Sequence, residues 1–177
     1  METIITEKIA KSVVRKVKST RFGEIRFNER DIILFPKGLL GFESLHEYVL
    51  IERESTMPFL WLQSVKNPSI AFPIVDPLYF KPDYEVRVHA GDLAGIGTVN
   101  PSNARIFVVV TIPPKEPEEI SINLLGPIIV NLENKKAVQI PLTDSDYSTK
   151  YYLFRDNPAE ITKDEIEENE TQLIGTI

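Results

Sequence analysis

Thirteen prolines interrupt this chain of 177 residues, and they constrain its fold more than any other single feature. Proline fixes φ and carries no amide hydrogen, so neither a helix interior nor a central ladder runs through it undisturbed. The segments between the prolines are rich in side chains branched at Cβ, with 21 Ile and 14 Val against 7 Ala. Branched side chains suit a pleated, half-buried surface, and scarce Ala argues against a helical bundle. The expectation is an all-β chain: a small single-domain antiparallel or mixed β-barrel or sandwich with one or two short helical turns. A chain of this length buries roughly 70% of its unfolded surface, so the core needs no staples. Cys is absent, which excludes disulfides, thiolate metal sites and Cys nucleophiles.

The strand signals are regular from Arg21 onward. Ile25 and Phe27 alternate with Glu24, Arg26 and Asn28, a period of two with one buried face. Ile32–Phe35, Tyr48–Ile51 and Leu60–Leu62 follow, and Pro73 between Ala71-Phe72 and Ile74-Val75 predicts an edge strand or a bulge. Tyr84 to His89 alternates apolar and polar residues and predicts a further strand, and Arg105 to Ile112 predicts the central one. Ile128–Leu132 and Lys136–Ile140 predict a hairpin about Glu133-Asn134-Lys135, with Val130 opposite Val138 and Ile128 opposite Ile140. Short helical turns are expected at Ser44–Glu47 and at Asp76-Pro77, the latter with a capping side chain before proline. Asn157-Pro158 repeats that cap signal, but the residues after it are too acidic and too weakly periodic for a helix and read as a solvated tail with at most a first turn.

Charge is unevenly placed on a chain of net charge −6 and pI about 5.1. Residues 1–30 carry eight basic and four acidic side chains, whereas 155–177 carry two basic and seven acidic. The expected organisation is an N-terminal extension over 1–12, a β domain over 13–154 and an acidic tail over 155–177. Ile5, Ile9, Val13 and Val17 stand at helical spacing, as in a basic amphipathic arm for membrane or nucleic acid. Val13–Lys18 also reads as an edge strand with its Lys and Arg outward, where charge deters edge-to-edge pairing. The acidic total argues against a uniformly basic nucleic-acid binder. No apolar run reaches the roughly 18 residues of a membrane span, and the first residues lack the pattern of a secretory leader. A cytoplasmic protein without membrane or direct nucleic-acid partners is expected.

Candidate chemistry is sparse. His46 lies near Ser44, Glu43 and Glu47, so a Ser/His/acid grouping for a small hydrolase is possible on paper, but no nucleophile elbow is present. His89 has Asp83, Glu85 and Asp92 nearby, the side chains of a metal-dependent enzyme without a recurring ligand spacing. Gly95-Ile96-Gly97 lacks the third glycine and the Lys of a phosphate cradle, and reads as a mobile turn. No cofactor is indicated, and catalysis has no positive support.

The punctuation is more informative. Phe35-Pro36-Lys37-Gly38-Leu39-Leu40-Gly41-Phe42-Glu43 is a tight glycine loop between aromatic anchors. Together with Phe22-Gly23-Glu24-Ile25, with Pro58-Phe59-Leu60-Trp61-Leu62-Gln63-Ser64, with Ala71-Phe72-Pro73-Ile74-Val75-Asp76-Pro77 and with Asn123–Asn131, it resembles the flagellar assembly factor FliW family in matching order, from about Val17 to Leu153. The resemblance implies a barrel-like protein without catalytic activity that binds flagellin in the cytoplasm, as a chaperone does. It also implies binding of the translational repressor CsrA. Flagellin export would free the factor to antagonise CsrA, by an allosteric route, and so permit translation of flagellin mRNA. An acidic surface would be steered towards the basic surface of an RNA-binding partner. The positions Phe72, Asp76, Tyr79 and Asp83 combine aromatic and acidic groups outside the strongest strands and are the candidate protein-binding residues, with burial in the core as the alternative for Phe72 and Tyr79.

Overall fold

The computed structural model describes residues 13–143 and 145–155. Eleven strands are present among them: β1 (Val14–Ser19), β2 (Gly23–Asn28), β3 (Ile32–Leu34), β4 (Glu47–Ile51), β5 (Leu60–Ser64), β6 (Ala71–Val75), β7 (Ala104–Thr111), β8 (Ser121–Ile122), β9 (Ile128–Asn131), β10 (Lys136–Gln139) and β11 (Tyr151–Tyr152). Strands β3 to β7 form a run of antiparallel neighbours; β7 also pairs with β9, β9 with β10, and β10 with β3. These pairings close a seven-stranded barrel, mixed because β10 lies parallel to β3. Closure leaves no open edge in that ring, which answers the aggregation hazard of exposed ladders. The expected all-β barrel is therefore the fold. Four single 3-10 turns, at Glu29–Asp31, Glu54–Thr56, Pro77–Tyr79 and Pro117–Glu119, punctuate the described residues, and none of their helices is long and apolar enough to cross a membrane.

The barrel is apolar on both walls. Phe35, Tyr48, Leu60, Leu62, Ile74, Phe107, Ile128 and Val130 fill its interior. Three coverings bury the outer wall. β8, β11 and the chain around Phe80 and Tyr84 cover Trp61, Val108 and Val110. The stretch 86–99 lies over Ile129, Val138 and Ile140, and the β1–β2 hairpin packs Val17 and Phe27 on Val49. Each aliphatic side chain so buried contributes about 1.5–3 kcal/mol.

The glycine loop turns the chain between β3 and β4. Gly38 has φ +70, and a Cβ there would lie 2.5 Å from Glu43 Cα, so the close crossing of two backbone segments demands glycine. Gly41 N–H donates to Glu43 Oε1 at 2.8 Å, and that bond holds the Glu43 carboxyl below its usual range. Phe35 is fully buried, and half-buried Phe42 meets Phe72 edge to face at 4.9 Å. The expected helical turn over Ser44–Glu47 is not formed: the chain turns instead through Leu45 N–H to Phe42 O, and Glu47 already belongs to β4.

Other expectations need correction. Tyr84–His89 pairs with no strand. Its alternation is real, since Tyr84, Val86 and Val88 turn to the barrel wall while Glu85, Arg87 and His89 face out, but it packs over the wall and joins no ladder. Its backbone bonds elsewhere; Glu85 N–H donates to the Tyr147 hydroxyl at 2.9 Å. Strand β6 is internal, between β5 and β7, and Pro73 is tolerated because the β6–β7 ladder engages only Ile74 and Val75. The β9–β10 register is one residue from the expected one, with Val130 opposite Ala137 and Ile129 opposite Val138, around a four-residue loop. Both faces of this hairpin are buried, so alternation does not select between registers; Lys135 at φ 57 and its N–H bond to Asn131 O set the loop. The Gly95–Gly97 turn is pinned, because Ile96 is fully buried and its carbonyl accepts from Asn131 Nδ2 and Asn134 Nδ2, each at 2.9 Å. β1 forms, with Lys16 and Lys18 exposed and Val17 buried, but Arg15 does not turn outward as expected: it is half-buried on the barrel side, 3.2 Å from Glu47 Oε2 of β4. The expected extension over 1–12, the turn at Asn157-Pro158 and the tail beyond Arg155 lie outside the described residues.

Candidate protein-binding surface

The surface begins with a cap. Asp76 Oδ1 accepts the Leu78 N–H at 3.0 Å, and Pro77 takes the first position of the turn that follows, where its missing N–H costs nothing. A 3-10 turn repeats every three residues, so with Pro77 and Phe80 both buried the two residues between them must face solvent. Phe80 anchors the turn by stacking on Phe59 at 5.8 Å. Leu78 and Tyr79 are 52% and 56% exposed as a result. The β5–β6 register, Leu60 opposite Ile74, brings Met57, 46% exposed, to the same end of the barrel. Three large apolar side chains are thus exposed at one end of the barrel.

Charge surrounds this end without dominating it. Lys81 Nζ lies 2.8 Å from Asp83 Oδ1; the bond holds the Asp83 carboxyl below its usual range and the Lys81 ammonium above its own. Arg87 pairs with Glu85 at 3.1 Å. Asp83 is exposed and offset by a neighbour, while the Asp76 carboxylate serves the turn itself.

Of the four candidate positions, Tyr79 and Asp83 stand at the surface, Asp76 caps the turn between them and the strand, and Phe72 is half-buried against the barrel interior beside Phe42 and Tyr48. Asp76, Tyr79 and Asp83 share one stretch of surface, and Phe72 belongs to another environment. Met57 and Leu78 escaped notice in the sequence. The signal for Leu78 was there: a proline-capped turn with Phe80 one turn on leaves it no inward direction.

The histidines form no constellation. His46 is exposed, with Nδ1 2.9 Å from Phe35 O. His89 N–H donates to Asp92 Oδ2 at 2.8 Å on the wall of an open cavity of ≈ 570 Å³ that Glu85, Arg87 and Tyr147 also line. Among the described residues no group of three or more His, Asp or Glu side chains is arranged to hold a metal ion.

With the barrel, its closing parallel pair and the glycine loop established, comparison with known proteins is decisive. The sequence model of the FliW protein family matches residues 16–153. This chain belongs to the FliW family. The flagellar assembly factor FliW of Natranaerobius thermophilus is 42% identical over 141 residues, 80% of this chain and 93% of that protein. The flagellar assembly factor FliW of Caldanaerobacter subterraneus is 42% identical over 144 residues, 80% of this chain and 94% of that protein. A crystal structure of the flagellar assembly factor FliW superposes with a TM-score of 0.74 at 28% identity, covering 83% of this chain and all of the other. The FliW match takes in the β1–β2 hairpin from Lys16 and all seven barrel strands.

Proposed function

We propose that this chain is a non-enzymatic flagellar assembly factor of the cytoplasm that binds flagellin and, when flagellin leaves, binds and antagonises the translational repressor CsrA. Flagellin synthesis would thereby follow flagellin export. The observation that carries this reading is the family match across the whole barrel, residues 16–153. The surface agrees with it: the exposed apolar side chains of Met57, Leu78 and Tyr79 suit docking against another protein, where aromatic anchors contribute most. The alternative reading, a hydrolase or metal-dependent enzyme at His46 or His89, has no observation in its favour: His46 Nδ1 lies against the Phe35 carbonyl, and among the described residues no group of His, Asp and Glu side chains is arranged to hold a metal ion.

Titration calorimetry of the full chain into flagellin and into CsrA tests the reading. Saturable binding to each, with each protein displacing the other, is expected. Leu78→Ser with Tyr79→Ala should weaken flagellin binding about tenfold or more. Asp83→Lys is the clean charge probe, because Asp83 is exposed whereas Asp76 also holds the turn; it should slow association with CsrA and flatten its salt dependence. Absence of saturable binding to both proteins at low and moderate salt would sink the proposal.

A further inference from the structure

The two most strongly charged stretches of the chain have opposite signs. Residues 13–30 carry six basic and two acidic side chains, while the 22 residues from 156 to 177 carry seven acidic and one basic. Within the β1–β2 hairpin, alternation puts three of the basic side chains on one face, while Arg15 shares the inner face with Val17 and bonds to Glu47 of β4. Val17, Ile25 and Phe27 turn towards the barrel, and Lys16, Lys18 and Arg26 are exposed on the other side.

The register sets Lys16 directly opposite Arg26, a like-charge pair that is unfavourable in itself. Glu24 relieves part of it, lying 3.3 Å from Lys16 Nζ and 2.9 Å from an Arg26 guanidinium nitrogen. One carboxylate serves two cations, and Lys18 makes no ion pair among the described residues. Val14, 63% exposed, adds an apolar side chain to the same face. The hairpin forms a two-stranded sheet of its own, so this face is an open sheet surface whose positive charge is not fully offset among the described residues.

The acidic stretch starts within reach. Phe154 packs against the same apolar cluster as Phe22 at the hairpin tip, and Arg155 is ion-paired with Glu119. From there 22 residues span up to about 70 Å when extended, whereas a six-residue strand is about 20 Å long. Tethering also raises the effective concentration of the segment to around the millimolar range, so weak attraction suffices. Ile161 and Ile166 stand among the carboxylates as apolar partners for the exposed Val14. The segment lies beyond residues 16–153, which the family model matches, so the role argued for it does not depend on the partners proposed above.

We infer that the acidic segment 156–177 docks in cis on the exposed face of the β1–β2 hairpin, its carboxylates against Lys16, Lys18 and Arg26, and so screens that face from anionic partners. The chain has no Cys, so Glu168→Cys in the full chain takes a single nitroxide label. Docking lowers the amide signal intensities of β1 and β2 about twofold or more at low salt, and the loss is relieved near 0.5 M salt, where the Debye length shrinks to about 4 Å. Lys16→Glu with Lys18→Glu and Arg26→Glu abolishes it; the milder Lys16→Gln, Lys18→Gln, Arg26→Gln set weakens it and guards against a folding defect. Broadening spread evenly over the barrel, or unchanged by charge reversal, overturns the inference. So does transfer of the broadening in a mixture of labelled and isotope-enriched chains, which would place a second copy's segment on the hairpin. For the screening, Glu165→Gln, Glu167→Gln, Glu168→Gln and Glu170→Gln together should raise the salt needed for elution from a heparin column. That rise should vanish in the hairpin-reversed background; a rise of equal size in both backgrounds would refute screening.

Discussion

The hairpins β1–β2 and β9–β10 are both short antiparallel pairs and yet answer to different rules. In β1–β2 one face is buried and the other carries Lys16, Lys18, Glu24 and Arg26, so a slip of one residue would turn charges into the barrel wall. In β9–β10 every residue of β9 is buried, with Ile128 and Val130 facing the interior and Ile129 the outer covering. A slip there exchanges one apolar partner for another, and the hydrophobic pattern does not resist it. Alternation therefore identifies faces everywhere, but it fixes register only where one face is wet.

Glycine substitutions give the widest separation between the two settings. Gly38 at the barrel corner and Gly23 at the hairpin share φ +70, but only at Gly38 would a Cβ strike backbone, 2.5 Å from Glu43 Cα; at Gly23 nothing lies within 4 Å. Gly38→Ala should cost at least about 3 kcal/mol or prevent folding, combining left-handed strain with a backbone clash. Gly23→Ala should cost about 1–2 kcal/mol, the strain alone. Denaturant unfolding of both variants checks this, and equal losses would mean that the corner relaxes as freely as the hairpin turn.

A second handle lies inside the barrel alone. Burial pushes the Tyr48 hydroxyl up to about 12 from its ordinary value of 10.0, and its oxygen is buried without a hydrogen-bond partner among the described residues. The unfolded chain releases this proton near pH 10 while the folded chain keeps it until about 12. Above pH 10 the unfolded state thus holds fewer protons, and stability falls as pH rises through that window. The loss attributable to Tyr48 should be about 2 kcal/mol. Tyr48→Phe should remove this part of the alkaline decline; a decline of unchanged depth in unfolding curves between pH 10 and 12 would contradict it. Burial raises Tyr84 in the same direction, so some decline persists in the variant.

The smallest effect tests what sets the β9–β10 register. Asn131 is buried; its Nδ2 donates to Ile96 O and Thr98 O at 2.9 and 3.2 Å, and its Oδ1 accepts from Glu133 N–H at 3.0 Å. The two carbonyls keep other amide donors, Asn134 and Asn103. Asn131→Ala should therefore cost about 1–2 kcal/mol, with faster amide exchange confined to Leu132–Lys136. Exchange unchanged in that loop would show that Lys135 and the loop backbone hold the register unaided.

The sequence made legible the β class, most strand positions, the proline-capped turn at Asp76 and the glycine corner, because each rests on local stereochemistry: branched side chains, proline and positive φ. At the candidate surface it grouped Phe72, Asp76, Tyr79 and Asp83, of which Phe72 packs instead beside Phe42 and Tyr48, and it did not reveal Leu78 and Met57, whose exposure follows from the burial of Pro77 and Phe80 and from the β5–β6 register. Tyr84–His89 shows the limit most plainly. Its alternation correctly separates buried from exposed side chains, but a wall of barrel strands and a neighbouring strand bury a residue equally well.

What the sequence determined by itself is where the chain extends, where it turns and which side chains avoid water. Only the tertiary structure decided which strands become neighbours, that β10 lies parallel to β3 and so closes the ring, and which register the β9–β10 pair adopts. The physical reason is that a barrel apolar on both walls is indifferent, residue by residue, to its partner. Choice then passes to a few particular contacts, such as the Asn131 amide and the left-handed Lys135, and to the geometric demand that seven strands meet.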